Sequence, residues 1–112
     1  MINNVYLVFS EKPDHISHDD YHAWYAKHAQ ENIQSPGFVS AQRYRVRETK
    51  GGPDAVEQHL SIYEHEGSVS RWRTDLDARI ARGELDIPDW FSQIKFRSWT
   101  CEPTGPLLLP QR

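Results

Sequence analysis

Six short periodic segments in the order β-α-β-β-α-β limit this chain more than any other feature of its sequence. Residues 5–9 (Val-Tyr-Leu-Val-Phe) are β-branched and aromatic and read as a buried strand, closed by Lys12-Pro13-Asp14. Ser17 opens a helix. Its hydroxyl can cap the first turn, Asp20 three residues on completes a capping-box-like pattern, and Asp19 and Asp20 suit the positive helix end. Tyr21, Trp24, Tyr25, His28 and Asn32 then fall on one side, and Ser35-Pro36-Gly37 stops the helix. Residues 38–48 read as a long strand with Arg43, Arg45 and Arg47 on one face and Ser40, Gln42, Tyr44 and Val46 on the other. Lys50-Gly51-Gly52-Pro53 is a loop. Residues 57–65 form a third strand, with His59, Ser61, Tyr63 and His65 opposite Leu60 and Ile62. Residues 67–82 form a second helix with Val69, Trp72, Leu76 and Ile80 on its apolar side, ended by Gly83. A turn at 86–90 and a fourth strand at 94–101 complete the set.

This order defines an α+β, ferredoxin-like fold, a split βαβ unit whose antiparallel sheet carries two helices on one face. The other sheet face also needs cover, because an apolar sheet face is costly to expose. Two such sheets packed face to face form a dimeric α+β barrel, with an aromatic-lined cavity in each subunit between sheet and helices. The domain is expected to span residues 1–102. Residues 103–112 form a tail with three prolines and the run Leu107-Leu108-Leu109, too Pro-rich for a helix and suited to packing on a partner subunit.

Aromatic residues make up 12% of the 112, which fits a folded globule rather than a disordered chain. No apolar run reaches the length of a membrane span, and the N-terminus shows no basic stretch followed by an apolar one, so a cytoplasmic location is expected. The single cysteine excludes an internal disulfide and a Cys-rich zinc module. A net charge of −3 lacks the basic footprint of a nucleic-acid binder. The absence of G-x-S-x-G, a phosphate loop and a dinucleotide fingerprint argues against hydride transfer and ATP chemistry. Six histidines remain as the unusual feature.

The segment from Ser17 to Arg47 resembles the dimeric α+β barrel superfamily, most closely its EthD-like and muconolactone-isomerase-like branches. The residues that carry the resemblance are Trp24-Tyr25, His28, Pro36-Gly37-Phe38 and Arg43-Tyr44. The superfamily includes lactone isomerases, polyketide cyclases, monooxygenases and haem-degrading enzymes. In the methylmuconolactone-isomerase-like branch a histidine of the first helix and a tyrosine of the second strand line the active site. The resemblance therefore implies His28 and Tyr44 as catalytic residues, with His59 the counterpart of a further histidine. That branch also uses a mid-chain cysteine, whereas the only cysteine here is Cys101.

His28 is the expected proton carrier, since an imidazole with a pKa near 6.5 both takes and gives a proton at neutral pH. Tyr44 and His59 are expected to stabilise negative charge on oxygen. Tyr63 shares a strand face with His59. Arg43 can hold a carboxylate by two parallel hydrogen bonds; only one face of its strand can meet the cavity, so Arg43 and Tyr44 compete for that place. His22 approaches the pocket entrance, Trp24 and Tyr25 wall a planar substrate, and Trp90 is a candidate lid. His18 and His22, four apart, have the spacing of two metal ligands, but without the glutamate of the zinc-protease motif this acidic stretch reads as a solvated helix start, and no metal is assigned. Nothing near Cys101 would activate it as a nucleophile. The expected protein is a homodimeric, cofactor-independent enzyme of aromatic catabolism, with no nucleic-acid or membrane partner. Its small-molecule substrate is a muconate, a muconolactone or its methyl ester, and the reaction is isomerisation or ester or lactone hydrolysis. The alternatives are a cofactor-free monooxygenase or polyketide cyclase acting on a phenolic ring, and a non-catalytic ligand-binding barrel.

Overall fold

The structure, a computed structural model, describes residues 3–48 and 57–111. The elements are β1 (Asn4–Glu11), α1 (His18–Asn32), β2 (Phe38–Arg45), β3 (Gln58–His65), α2 (Val69–Ala81), a 3-10 turn (Asp89–Gln93) and β4 (Lys95–Cys101). The loop expected at Lys50-Gly51-Gly52-Pro53 lies outside the described residues. The sheet order is β2-β3-β1-β4 and every pairing is antiparallel. This is the ferredoxin-like arrangement, with β3 inserted between β1 and β2 and β1 between β3 and β4.

Local chemistry sets the ends of α1. Ser17 accepts a hydrogen bond from the Asp20 backbone N–H at 3.1 Å, the expected cap. The chain leaves the helix through Gly37, whose φ of +101° favours glycine. A Cβ there would also stand 3.0 Å from the Glu66 carbonyl oxygen. Beside it, the Glu66 N–H donates to the Gly37 carbonyl at 2.7 Å, which ties the start of β2 to the end of β3.

Several boundaries differ from the sequence reading. β1 runs beyond residues 5–9 at both ends because β3 and β4 pair with it over its length. β2 stops at Arg45 rather than at residue 48, although the Val46 N–H still reaches the Gln58 carbonyl. The turn placed at 86–90 falls later, at Asp89–Gln93.

Both helices cover the face that carries Tyr6, Val8 and Ser10 of β1 and His59, Ser61, Tyr63 and His65 of β3. Tyr21 of α1 donates to Ser10 Oγ at 2.8 Å, and Trp72 of α2 packs on Tyr6 with ring centres 4.9 Å apart. The inner face of β3 is buried and unusually polar for a central strand. His65 is fully buried, with neither ring nitrogen hydrogen-bonded, between Phe38 and Trp72. The apolar residues Val5, Leu7, Phe9, Leu60 and Ile62 of the two central strands point to the opposite face and are only partly buried. Trp99 and Tyr44 lie half exposed on that same face.

α2 is held mainly by one side chain. Trp72, 1% exposed, is its only buried residue. The tail leaves Leu107, Leu108 and Leu109 at 76–85% exposure in the single chain.

Candidate active site

A cavity of about 340 Å³ lies between the sheet and the two helices. α1 contributes Tyr25, His28 and Asn32, and the strands contribute Tyr6, Val8, Tyr63, Phe96 and Ser98. α2 closes it with Trp72, Arg73, Leu76, Asp77 and Ile80. The wall is largely aromatic and aliphatic, with a few polar groups converging on it, as in a small-molecule site.

His28 is 8% exposed and its ring stacks on Trp24, with centres 4.7 Å apart and planes 19° apart. Neither ring nitrogen has a hydrogen-bond partner among the described residues, and Nδ1 is buried. Burial, reinforced by the positive charge of Arg43, pushes its pKa down to about 4. The imidazole is therefore neutral at pH 7, a proton acceptor rather than a group about a quarter charged as an exposed histidine would be. Across the cavity, Tyr63 accepts from Asn32 Nδ2 at 3.4 Å, while Asn32 Oδ1 is buried without a partner. Burial raises the pKa of both Tyr25 and Tyr63, which keeps their hydroxyls protonated and able to donate.

Arg43 lies behind this wall. Its guanidinium carbon sits 3.9 Å from the Tyr25 ring centre, and Nε donates to Ser61 Oγ at 3.4 Å. Nη1 and Nη2 are buried with no partner. A buried cation with spare donors creates a positive potential that favours an anion nearby.

A second, polar hollow of about 140 Å³ is lined by His18, His22, Arg43, Tyr44, Arg45 and His59. At its edge the Glu57 carboxylate accepts from His18 Nδ1 at 2.7 Å and His59 Nε2 at 2.6 Å, and Arg45 reaches its other oxygen at 3.3 Å. Burial works to raise the Glu57 pKa, but the bonds from His18 and His59 outweigh it and hold it at about 2. Burial lowers the pKa of His59, against the hydrogen bond to Glu57.

The residues singled out in the sequence thus divide between two places. His28, Tyr25 and Tyr63 share the larger cavity, while His59, His22 and Arg43 line the polar hollow. Tyr44 borders the polar hollow and does not join His28. Its register partner is Leu60, so its side chain belongs to the outer sheet face, where the residue is 49% exposed, whereas Arg43 pairs with Ser61 and turns inward. Trp24 backs His28 and donates to the Asp86 carbonyl. Trp90 packs on Tyr21 and Trp24, and its neighbour Phe91 lines the cavity in its place. Tyr6, Phe96 and Ser98 were not singled out; strand alternation from Val8 would have found Tyr6. Glu57 was also missed, because its partners come together only through the tertiary fold.

No family model matches the chain, and no curated protein matches it. Solved structures do. One described as a "putative monooxygenase" from Shewanella loihica PV-4 is 15% identical with a TM-score of 0.60, covering 95% of this chain and 99% of that one. A dimeric ferredoxin-like protein from an uncultured marine organism is 14% identical with a TM-score of 0.64, covering 96% and 100%. The At3g17210 protein of Arabidopsis thaliana is 15% identical with a TM-score of 0.60, covering 93% and 99%. At this identity the likeness establishes the ferredoxin-like fold. No described helix is long and apolar enough to cross a membrane.

Proposed function

We propose that the protein is a small-molecule enzyme that moves a proton on an oxygenated, ring-derived acid, with isomerisation of a muconolactone-type substrate as the best fit. The observation that carries this reading is the neutral, unpartnered imidazole of His28 in an aromatic cavity faced by two protonated tyrosines. His28 takes a proton from a carbon next to a carbonyl, the carbonyl oxygen gains the charge, and the proton returns at a conjugated carbon as the double bond moves. Isomerisation needs only this one acid–base group, whereas hydrolysis would also need a placed water or nucleophile. Tyr25 and Tyr63 donate to the developing oxyanion, and the potential of Arg43 favours it. An anion in the cavity in turn stabilises the imidazolium, so substrate binding raises the basicity that burial suppresses.

A second copy of the chain would complete the barrel. The apolar outer face of β1 and β3 supports this, since it otherwise remains partly exposed, as does the dimeric state of the marine ferredoxin-like protein. The description of the Shewanella protein supports a second reading, in which dioxygen adds to the same carbanion of a phenolic substrate to give a hydroperoxide, whose O–O bond then breaks so that one oxygen leaves as water and the other stays as the new quinone carbonyl.

Both readings share the proton abstraction, and deuterium exchange reports it. Incubation in D2O with muconolactone-type lactones and with quinols, followed by proton NMR, should show wild-type-dependent exchange at the carbon next to the carbonyl, or at the ring, that Tyr63→Phe slows roughly tenfold or more. Oxygen uptake accompanying that exchange selects the oxygenase. No exchange with either class would remove the proposal.

A further inference from the structure

We infer that His18, Glu57 and His59 form a binding site for a divalent first-row transition-metal ion, separate from the His28 cavity. One ligand atom from each residue can be chosen so that all three lie within 4.8 Å of one another. The Glu57 oxygen stands 2.7 Å from His18 Nδ1 and 2.6 Å from His59 Nε2, so a small outward shift of each group would admit an ion between them. Two imidazoles and one carboxylate are the donor set of open zinc sites and of non-haem ferrous sites. Such a set leaves coordination positions free, and here a hollow of about 140 Å³ adjoins it, lined by both histidines.

The placement is built by the fold rather than by a surface cluster. His18 begins α1, Glu57 precedes β3, and His59 lies on the inner face of β3 at 2% exposure. The Glu57 side chain is 17% exposed and that of His18 is 37% exposed, so an ion has a route in from the His18 side. His22, one turn along α1, stacks parallel to His18 at 6.0 Å and is available as a further ligand. In the metal-free state each ring donates its proton to Glu57; on binding, each moves that proton to its other nitrogen and presents a lone pair. Arg43 and Arg45 line the same hollow and oppose a cation there. They also suit an anion, such as hydroxide or a carboxylate, in an open position on the ion. The sequence reading assigned no metal because the helix lacks an adjacent glutamate; the fold supplies one from 39 residues away.

The test uses the full chain, stripped with a chelator and titrated with Zn²⁺ by calorimetry and with Co²⁺ by visible absorption. The expected result is saturable uptake of one ion per chain, with ligand-field bands from bound Co²⁺. Glu57→Gln and His18→Ala should each weaken Zn²⁺ binding at least ~10-fold. His15→Ala, at an exposed histidine outside the cluster, should leave it unchanged. His18 is partly exposed at the helix start, so its removal spares the core, and circular dichroism verifies that each variant is folded. Absence of saturable uptake, or uptake that either Glu57→Gln or His18→Ala leaves intact, would overturn the inference and leave a hydrogen-bonded cluster.

Discussion

Replacing His28 with leucine should cut turnover by about 10²–10⁴-fold, the usual contribution of a positioned acid–base group, while making the folded protein more resistant to acid. The two effects have one origin. The unfolded chain protonates this ring near pH 6.5, whereas the fold, by burying it near Arg43, delays protonation to about pH 4. Between those values the unfolded state binds more protons, so wild-type stability falls as the pH drops through the window and recovers as it rises. The full difference is on the order of 3 kcal/mol. Leucine does not titrate, so urea midpoints measured from pH 7 to pH 4 should decline less in His28→Leu than in the wild type. Equal acid sensitivity in the two proteins would mean that the ring is solvated. For the same reason, the wild-type kcat/KM, which reports the free enzyme, should hold as the pH falls through 6.5 and drop only at lower pH.

Trp72→Ala should destabilise the protein by about 3–5 kcal/mol, the range for truncating a buried aromatic side chain. That is a large share of the stability of an ordinary domain. Trp72 is the one buried side chain of α2, and it packs on Tyr6, Phe38 and His65. Its indole N–H is unpartnered, so the loss is of packing rather than of a hydrogen bond. Since α2 closes the His28 cavity through Leu76 and Ile80, the variant should also lose ligand binding at temperatures where it is still folded. Urea unfolding checks the stability, and hydrogen exchange should place the largest loss of protection in α2. Trp72→Phe, which keeps a ring, should lose less than half as much. A cost below about 1 kcal/mol for Trp72→Ala would show that α2 is held by something else.

The element order was legible because each segment carries its own period, and the alternation of β3 placed His59, Ser61, Tyr63 and His65 together on what proved to be the buried face. The capping of α1 by Ser17 was equally local. Features that depend on partners were not legible. Whether Arg43 or Tyr44 turns inward is decided by the pairing of β2 with β3, which no single strand encodes. The reach of His18 to Glu57 depends on where the chain returns after β2. The pKa of His28 follows from its depth and from Arg43, so the sequence suggested an ordinary imidazole where the fold makes a neutral one. The division of the expected residues between two hollows arises in the same way, because His28 and His59 lie on different elements whose separation only packing sets.

The most direct test of the account is the titration of the His28 ring by nitrogen-detected NMR, assigned against His28→Leu. The buried ring should stay neutral on lowering the pH through 6.5 and titrate near pH 4, moving upward when an anionic ligand fills the cavity. A ring that titrates near pH 6.5, like an exposed histidine, and ignores such ligands would contradict it.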